Sequence, residues 1–476
     1  MAGAVQATSY SPLMGLLYVF NLIVGTGALA LPRAFQRAGY ILSIVVLSIS
    51  CVASYVAATF VVEALAIGNA AQRRKRVATT ESKPVDDPEI FEIKDRIEVS
   101  QMATMFLTRA GVIFSYLALD IYLFGDLAIY STTVPKSLMN IICAPLNSSV
   151  TPVHEDLCRP GWPGFFTRFT VYRLCVVLFI SVTIPMVIIG ITRTKYLQLA
   201  TSLSRWTAFI LMIVLAIIQI SSEGPARIPP PVDIHEFGAL FGVAVYSFMC
   251  HHSIPSLITP MTSKSHVFLK VFCVYLMVMA FYFTLSMTGS FAFVDVMDVY
   301  TLNFLNDNLT SVFNIIVNYF LALFPVFTIT TNYPIVGATL VNNVRVLRDL
   351  IFSASAKVYT EEQTEEQKKK SRTAHILSDI LIYVTMLGLP SVISIITDNM
   401  LLLATVTGSY PGVGVQFLIP CLLVIYSRNY AKNELNFPVP KKYASPFESR
   451  YWLYALFLWA AFSIVMTTLN LIGVNF

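Results

Sequence analysis

The chain has 476 residues, 56% of them apolar and only 12% charged, and its mean hydropathy is +0.69. A composition this apolar excludes a water-soluble globular domain, and a net charge of +5 over such a length carries no signal for nucleic acid. What remains is a protein whose solvent is the lipid bilayer.

Eleven apolar runs follow one another: 11–32, 41–66, 110–135, 169–190, 199–220, 237–258, 268–293, 312–340, 376–396, 400–426 and 451–473. Each holds about 20 residues or more, enough for a helix to cross a hydrocarbon core of roughly 30 Å. They predict an all-α polytopic membrane protein of about eleven transmembrane helices, folded as one transmembrane domain over residues 1–476. The first run is expected to serve as its own insertion signal.

Span one carries the most informative residues, Phe20-Asn21-Leu22-Ile23-Val24-Gly25-Thr26-Gly27-Ala28-Leu29-Ala30-Leu31-Pro32. Glycine weakens a helix interior by about 1 kcal/mol relative to alanine, so a pair at mid-depth predicts a break. A break inside hydrocarbon exposes backbone polar groups, and it is tolerated where it lines a cavity or meets a ligand. The N–H groups of Thr26, Gly27 and Ala28 would then open a second half-helix and favour an anion such as a carboxylate. The carbonyls from Leu22 to Gly25, that of Val24 included, have the opposite polarity and suit an ammonium or a cation. The alternative is that Gly25 and Gly27 let two helices pack closely.

The loop at 67–109 begins with Arg73-Arg74-Lys75-Arg76, a topology determinant or a contact for anionic lipid. Further on, Ile93, Ile97, Met102, Met105 and Phe106 interspersed with charges predict an amphipathic helix over 91–107. Span three holds two acids, Asp120 and Asp126, and carboxylates inside a membrane default to functional candidates. Tyr122 and Tyr130 stand four residues to either side of Asp126, one stripe of a helix. Proton coupling and a structural hydrogen bond to a tyrosine, Arg173 or Arg205 both fit Asp126. Both acids lie on one span without a Gly-x-Gly-Asp context, which sets aside an aspartyl-protease reading, and no enzyme activity is expected.

The loop at 143–168 contains Cys143, Cys158 and the sequon Asn147-Ser148-Ser149, and a second sequon, Asn308-Leu309-Thr310, lies in the loop at 294–311. Asn147 and Asn308 are expected glycosylation sites. Cys143 and Cys158 are expected to form a disulfide, with two free thiols as the alternative.

Span six contains Tyr246-Ser247-Phe248-Met249-Cys250-His251-His252-Ser253-Ile254-Pro255. Small and polar residues followed by proline predict a second interrupted helix, whose backbone groups from Tyr246 to Cys250 reach the site. His251 and His252 are adjacent and point to different sides, which makes them a poor metal pair, and no metal is expected. Interruptions five spans apart are the pattern of a five-plus-five inverted repeat, with the solute between the broken helices near the midplane. Span eleven stands outside the repeat. In span eight, Thr328 and Thr331 near Pro334 complete a candidate sodium site with span one, or bond their own helix backbone.

Of the 32 Lys and Arg residues, 24 fall in the loops at 67–109, 191–198, 259–270, 341–375 and 427–450, and six in the alternate set. That excess predicts those loops and the amino terminus in the cytosol. With eleven spans, the carboxyl terminus, both sequons and the two loop cysteines are then lumenal or extracellular. Tyr10-Ser11-Pro12-Leu13 resembles a sorting pattern but abuts span one, so lysosomal or other endomembranes and the plasma membrane stay open.

The run Asn21-Leu22-Ile23-Val24-Gly25-Thr26-Gly27-Ala28-Leu29 with Pro32, followed by Tyr246-Ser247-Phe248-Met249-Cys250, resembles the amino acid/auxin permease family of the amino acid–polyamine–organocation superfamily. The resemblance implies a LeuT-type bundle and amino acids or related small solutes as the substrate class. It implies a solute site drawn from Asn21, Gly25, Thr26, Gly27, Tyr246, Ser247 and Cys250, and coupling to Na+ or H+ without a cofactor. The expected function is a secondary active transporter working by alternating access, with Val24, Thr328, Thr331 and Asp126 as ion-coupling candidates. The alternative is an amino-acid-sensing receptor, a transceptor, using the same fold without net transport. The expected partners are a small solute and the lipid bilayer.

Overall fold

The computed structural model describes residues 10–79, 88–144, 155–190, 195–234, 237–305, 311–356 and 365–473. The sequons at Asn147 and Asn308 lie outside the described residues. The chain enters the first helix, α1 (Pro12–Ile23), with proline at its first position and the Ser11 hydroxyl accepting from the Met14 N–H. Three residues later it resumes as α2 (Gly27–Ala38), bent by 53° from α1. The first half continues with α3 (Tyr40–Thr79), α4 (Val99–Phe106), α5 (Arg109–Ile142), α6 (Arg168–Ile189) and α7 (Lys195–Glu223). The second half opens with α8 (Phe237–Ser247) and α9 (Ile254–Ile258), again two pieces with a gap between them. It continues with α10 (Val267–Ala292), α11 (Val312–Ala356) and α12 (Glu365–Ile396). The helices α13 (Met400–Thr407) and α14 (Ile419–Tyr430) are joined by π-helical turns into one long span, and α15 (Arg450–Ile472) follows.

Among the described residues, nine helices are long and apolar enough to cross a membrane, and the bent pair α1/α2 adds a tenth crossing. The pieces α8 and α9, each too short to cross alone, supply the remaining one. The architecture is therefore the expected all-α bundle of about eleven spans, with interruptions in spans one and six. The symmetry of the repeat is visible in the packing. The third and eighth spans, α5 and α11, lie along each other more extensively than any other pair.

The two ends of the bundle differ. The half-helices α2 and α8 pack closely together, while α1 and α9, at the end carrying the α3–α5 connection, touch far less. Between α2 and α8 the fit needs glycine, because a Cβ on Gly27 would stand 2.7 Å from the Ser247 Cα. Beyond this contact a polar cluster seals the same end. Lys136 Nζ donates to Asp298 Oδ2 at 2.9 Å and to the Asp398 carbonyl at 2.9 Å, and Arg33 approaches Asp298 at 3.9 Å. The Met400 N–H donates to the same carboxylate at 3.0 Å. Gln36 fastens α2 to the 293–305 connection, donating to the Phe293 carbonyl at 2.8 Å and accepting from the Val296 N–H at 2.9 Å. Burial alone would push the Asp298 carboxyl up, but Lys136 and Arg33 beside it hold it below the ordinary 3.8.

At the opposite end the α3–α5 connection departs from the expected amphipathic helix over 91–107. Only Val99–Phe106 is helical, started by a reciprocal capping box between Glu98 and Gln101. Ahead of it a 3-10 turn over Pro88–Phe91 leads into residues 92–98 without regular secondary structure, with Phe91, Ile93 and Ile97 fully buried. Its backbone is paired by side chains of α3. Asn69 accepts from the N–H groups of Lys94 and Asp95 at 3.0 and 2.7 Å, and Arg73 donates to the Glu89 and Glu92 carbonyls at 2.7 Å each. Cys143 and Cys158 form the expected disulfide just past the end of α5.

Candidate functional site

A cavity of about 560 Å³ runs from the two helix breaks to the open end of the bundle. Its wall takes residues from α1 and α2, α5, α7, the α8–α9 gap and α11, and its mouth is formed by Arg96, Glu98, Val99 and Ser100 of the α3–α5 connection. On α11 the wall residues Thr328, Asn332, Thr339 and Asn343 recur at helical spacing, a polar stripe down one face.

The break in span one leaves backbone groups free. Val24 N–H still bonds the Phe20 carbonyl and Ala28 N–H bonds the Gly25 carbonyl at 3.2 Å. The N–H groups of Thr26 and Gly27 donate to no backbone carbonyl among the described residues. Thr26 is the residue that should cap α2, yet its hydroxyl makes no capping bond. It lies instead 2.7 Å from the Tyr246 hydroxyl, which donates to Asp126 Oδ1 at 2.8 Å. Three helices thus meet in one chain of hydrogen bonds: Asp126 of α5, Tyr246 of α8 and Thr26 at the break. A bare helix start next to this chain is a position for an anion, and the Asp126 carboxylate is a position for a cation or a proton.

The carbonyl side of the two breaks is occupied by protein donors. Tyr282 of α10 lies 3.0 Å from the Ile23 carbonyl and 2.9 Å from the Ser247 carbonyl, within reach of both half-helix ends. Arg205 of α7 donates to the Asn21 carbonyl.

The structure places Asn21, Gly25, Thr26, Gly27, Tyr246, Asp126 and Thr328 on the cavity wall. Gly25 differs from Gly27 in its surroundings: a Cβ there would meet nothing closer than the Leu22 carbonyl at 3.9 Å. Four expected residues are not on the wall. Val24 is fully buried in the apolar core. Ser247 lies behind Gly27, and Cys250 turns to the Tyr275 hydroxyl at 3.2 Å. Thr331 bonds the Thr328 carbonyl at 2.9 Å and Thr328 the Phe324 carbonyl at 2.8 Å, so both hydroxyls serve their own helix. Asp126 takes its partner from span six rather than from Arg173, which bonds the Ile395 carbonyl and lies over the Phe169 ring. His251 bonds the Ser54 carbonyl at 2.9 Å and His252 faces the cavity, so the adjacent pair does diverge.

Sequence reasoning missed Tyr282 and the mouth residues, and it weighed Arg205 only as a partner for Asp126. Arg205 carried a usable signal, a charge inside an apolar run. Tyr282 carried none, because its partners are backbone carbonyls brought together by the breaks.

The family described as transmembrane amino acid transporter protein matches residues 8–469. A transmembrane protein 104 homolog from Caenorhabditis briggsae is 53% identical over 98% of each chain. Transmembrane protein 104 from Homo sapiens is 37% identical over 99% of each. Among solved structures, MhsT in complex with L-phenylalanine aligns over 98% of this chain and 100% of its own, at a TM-score of 0.50 and 12% identity, a likeness of fold. Matched along nearly its whole length, with its first and sixth spans both interrupted, the chain belongs to the transmembrane amino acid transporter protein family.

Proposed function

We propose that the protein is a secondary active transporter of an amino acid or related small solute, working by alternating access around spans one and six. The observation that carries this reading is the cavity joining both helix breaks, with free N–H groups at Thr26 and Gly27 and the Asp126 carboxylate on one wall. Those groups complement the carboxylate and the ammonium of an amino acid. The family description and the L-phenylalanine bound by MhsT support the substrate class. The excess of Lys and Arg in the loops at that end supports a cytosolic position for the open end of the cavity and for the amino terminus. The cavity then faces inward and its outer end is sealed.

Of the two candidate coupling ions, the geometry favours H+. The Ile23 and Ser247 carbonyls that would help to bind Na+ already have Tyr282 as a partner. Asp126 has a relay through Tyr246 to the residue that starts α2. Loading Asp126 with a proton changes which way those hydroxyls point, and hence whether the Thr26 hydroxyl donates or accepts beside the solute.

The test is uptake of a panel of amino acids into proteoliposomes under imposed H+ or Na+ gradients, with Gly25→Val as the control. A Cβ at position 25 meets nothing closer than 3.9 Å and the valine methyls extend into the cavity, so transport is expected to fall to background while thermal stability is retained. Binding without uptake would favour the receptor reading, and uptake unaffected by Gly25→Val would remove the site from the helix break.

A further inference from the structure

Arg205 is a part of the cavity that the transporter reading leaves unused. It projects from α7, inside an apolar helix, and its guanidinium donates to the Asn21 carbonyl in the last turns of α1. Among the described residues its ionisable neighbours are the phenols Tyr130 of α5 and Tyr282 of α10, with no carboxylate beside them. One carbonyl engages one of the five N–H donors of a guanidinium. A cation held in a membrane span without a counter-ion is costly, and this one stands where a counter-ion can enter. Beside it, Asn21 Oδ1 is buried and has no hydrogen-bond partner among the described residues. The polar wall is therefore incomplete around Asn21 and Arg205 as well as at the break.

Asn21 lies in the last turn of α1, just before the break that carries Gly25. The free N–H groups at Thr26 and Gly27 and the Arg205 guanidinium are thus two anion-holding positions on one cavity wall. Asp126 supplies one cation-holding position. An amino acid with an uncharged side chain occupies one position of each kind and leaves Arg205 uncompensated. An amino acid with a second carboxylate occupies all three.

We propose that Arg205 binds a second anionic group of the solute, and that the solute class of this cavity is the dicarboxylic amino acids. The proposal rests on the transporter reading of the same cavity. With Asp126 ionised and holding the ammonium, the second carboxylate of the solute supplies the counter-ion that Arg205 otherwise lacks among the described residues.

The experiment compares L-glutamate with L-glutamine, and L-aspartate with L-asparagine, in proteoliposomes of wild type, Arg205→Gln and Arg205→Lys. Wild type is expected to prefer each acid over its amide on the order of tenfold to a hundredfold, the range of a charge-assisted hydrogen bond. Arg205→Gln is expected to abolish that preference, the acids losing at least about tenfold more uptake than the amides, and Arg205→Lys to retain part of it. Equal or better uptake of the amides by wild type overturns the proposal. So does an equal loss of acid and amide in folded Arg205→Gln, which would leave Arg205 the role of holding Asn21. If Arg205→Gln does not fold, the wild-type ratio and Arg205→Lys decide. Uptake of neutral amino acids alone removes the Arg205 assignment and leaves the transporter reading standing. Silence of the whole panel in folded protein removes both.

Discussion

Tyr246→Phe keeps the ring that stands 6.3 Å from Tyr122 but deletes the bonds to Asp126 and Thr26. A hydrogen bond to an ionised group contributes about 1.5–3 kcal/mol, so uptake driven by an H+ gradient is expected to fall roughly tenfold to a hundredfold. The melting temperature should change little, because the packing ring remains. Wild-type rates across a pH series would place the relay outside the mechanism. At this scale the sequence was partly legible. Asp126 announced itself as a carboxylate in an apolar run flanked by tyrosines. Arg205 carried the same signal but was weighed only as a partner for Asp126, and its actual partner is a backbone carbonyl that no side-chain pattern encodes. Ser247 and Cys250 lie off the cavity wall for a related reason. A motif names the residues around a break but not which of them face inward, and Gly27 against Ser247 decides that by contact.

Among the elements, the α3–α5 connection shows how two periodicities compete. Phe91, Ile93, Ile97 and Val99 alternate with Glu92, Lys94, Arg96 and Glu98, a period of two that belongs to extended chain. Read together with Met102, Met105 and Phe106 it passes for a helical face. The non-helical form is maintained because Asn69 and Arg73 supply hydrogen bonds that a helix would otherwise make internally. Asn69→Ala leaves the N–H groups of Lys94 and Asp95 without that partner, at about 1–3 kcal/mol for each buried group. Hydrogen exchange at residues 92–98 is expected to accelerate at least about tenfold. Unchanged exchange would mean that burial of Phe91, Ile93 and Ile97 holds the segment by itself.

At the scale of the whole molecule, the number of spans, the two interruptions and their five-span offset were legible from hydropathy and glycine placement. Which end is closed was not, because that depends on packing between half-helices and on charges far apart in the chain: Arg33, Lys136, Asp298 and Asp398. Asp298→Asn is expected to weaken the sealed end, with a loss of about 3 kcal/mol, the low end for a broken buried pair because Lys136 keeps Asp398. Since the Asp298 carboxyl titrates below 3.8 in the folded protein, its contribution is present above that value and is lost only as pH falls through the lowered one. The difference in melting temperature between wild type and Asp298→Asn should therefore stay constant from about pH 8 to pH 5. A difference that already shrinks across that window would show that Lys136 and Arg33 do not hold the carboxylate ionised.

Tyr282 reaches two carbonyls, of Ile23 and Ser247, with one hydroxyl. A hydroxyl carries a single hydrogen, so at any instant one helix end holds the bond and the other only waits beside it. If either end leaves α10, the hydrogen passes wholly to the one that stays. The first departure is therefore nearly free and the second meets a full bond. One tyrosine thereby lets either broken helix part from α10 at almost no cost in hydrogen bonding while it holds the other in place.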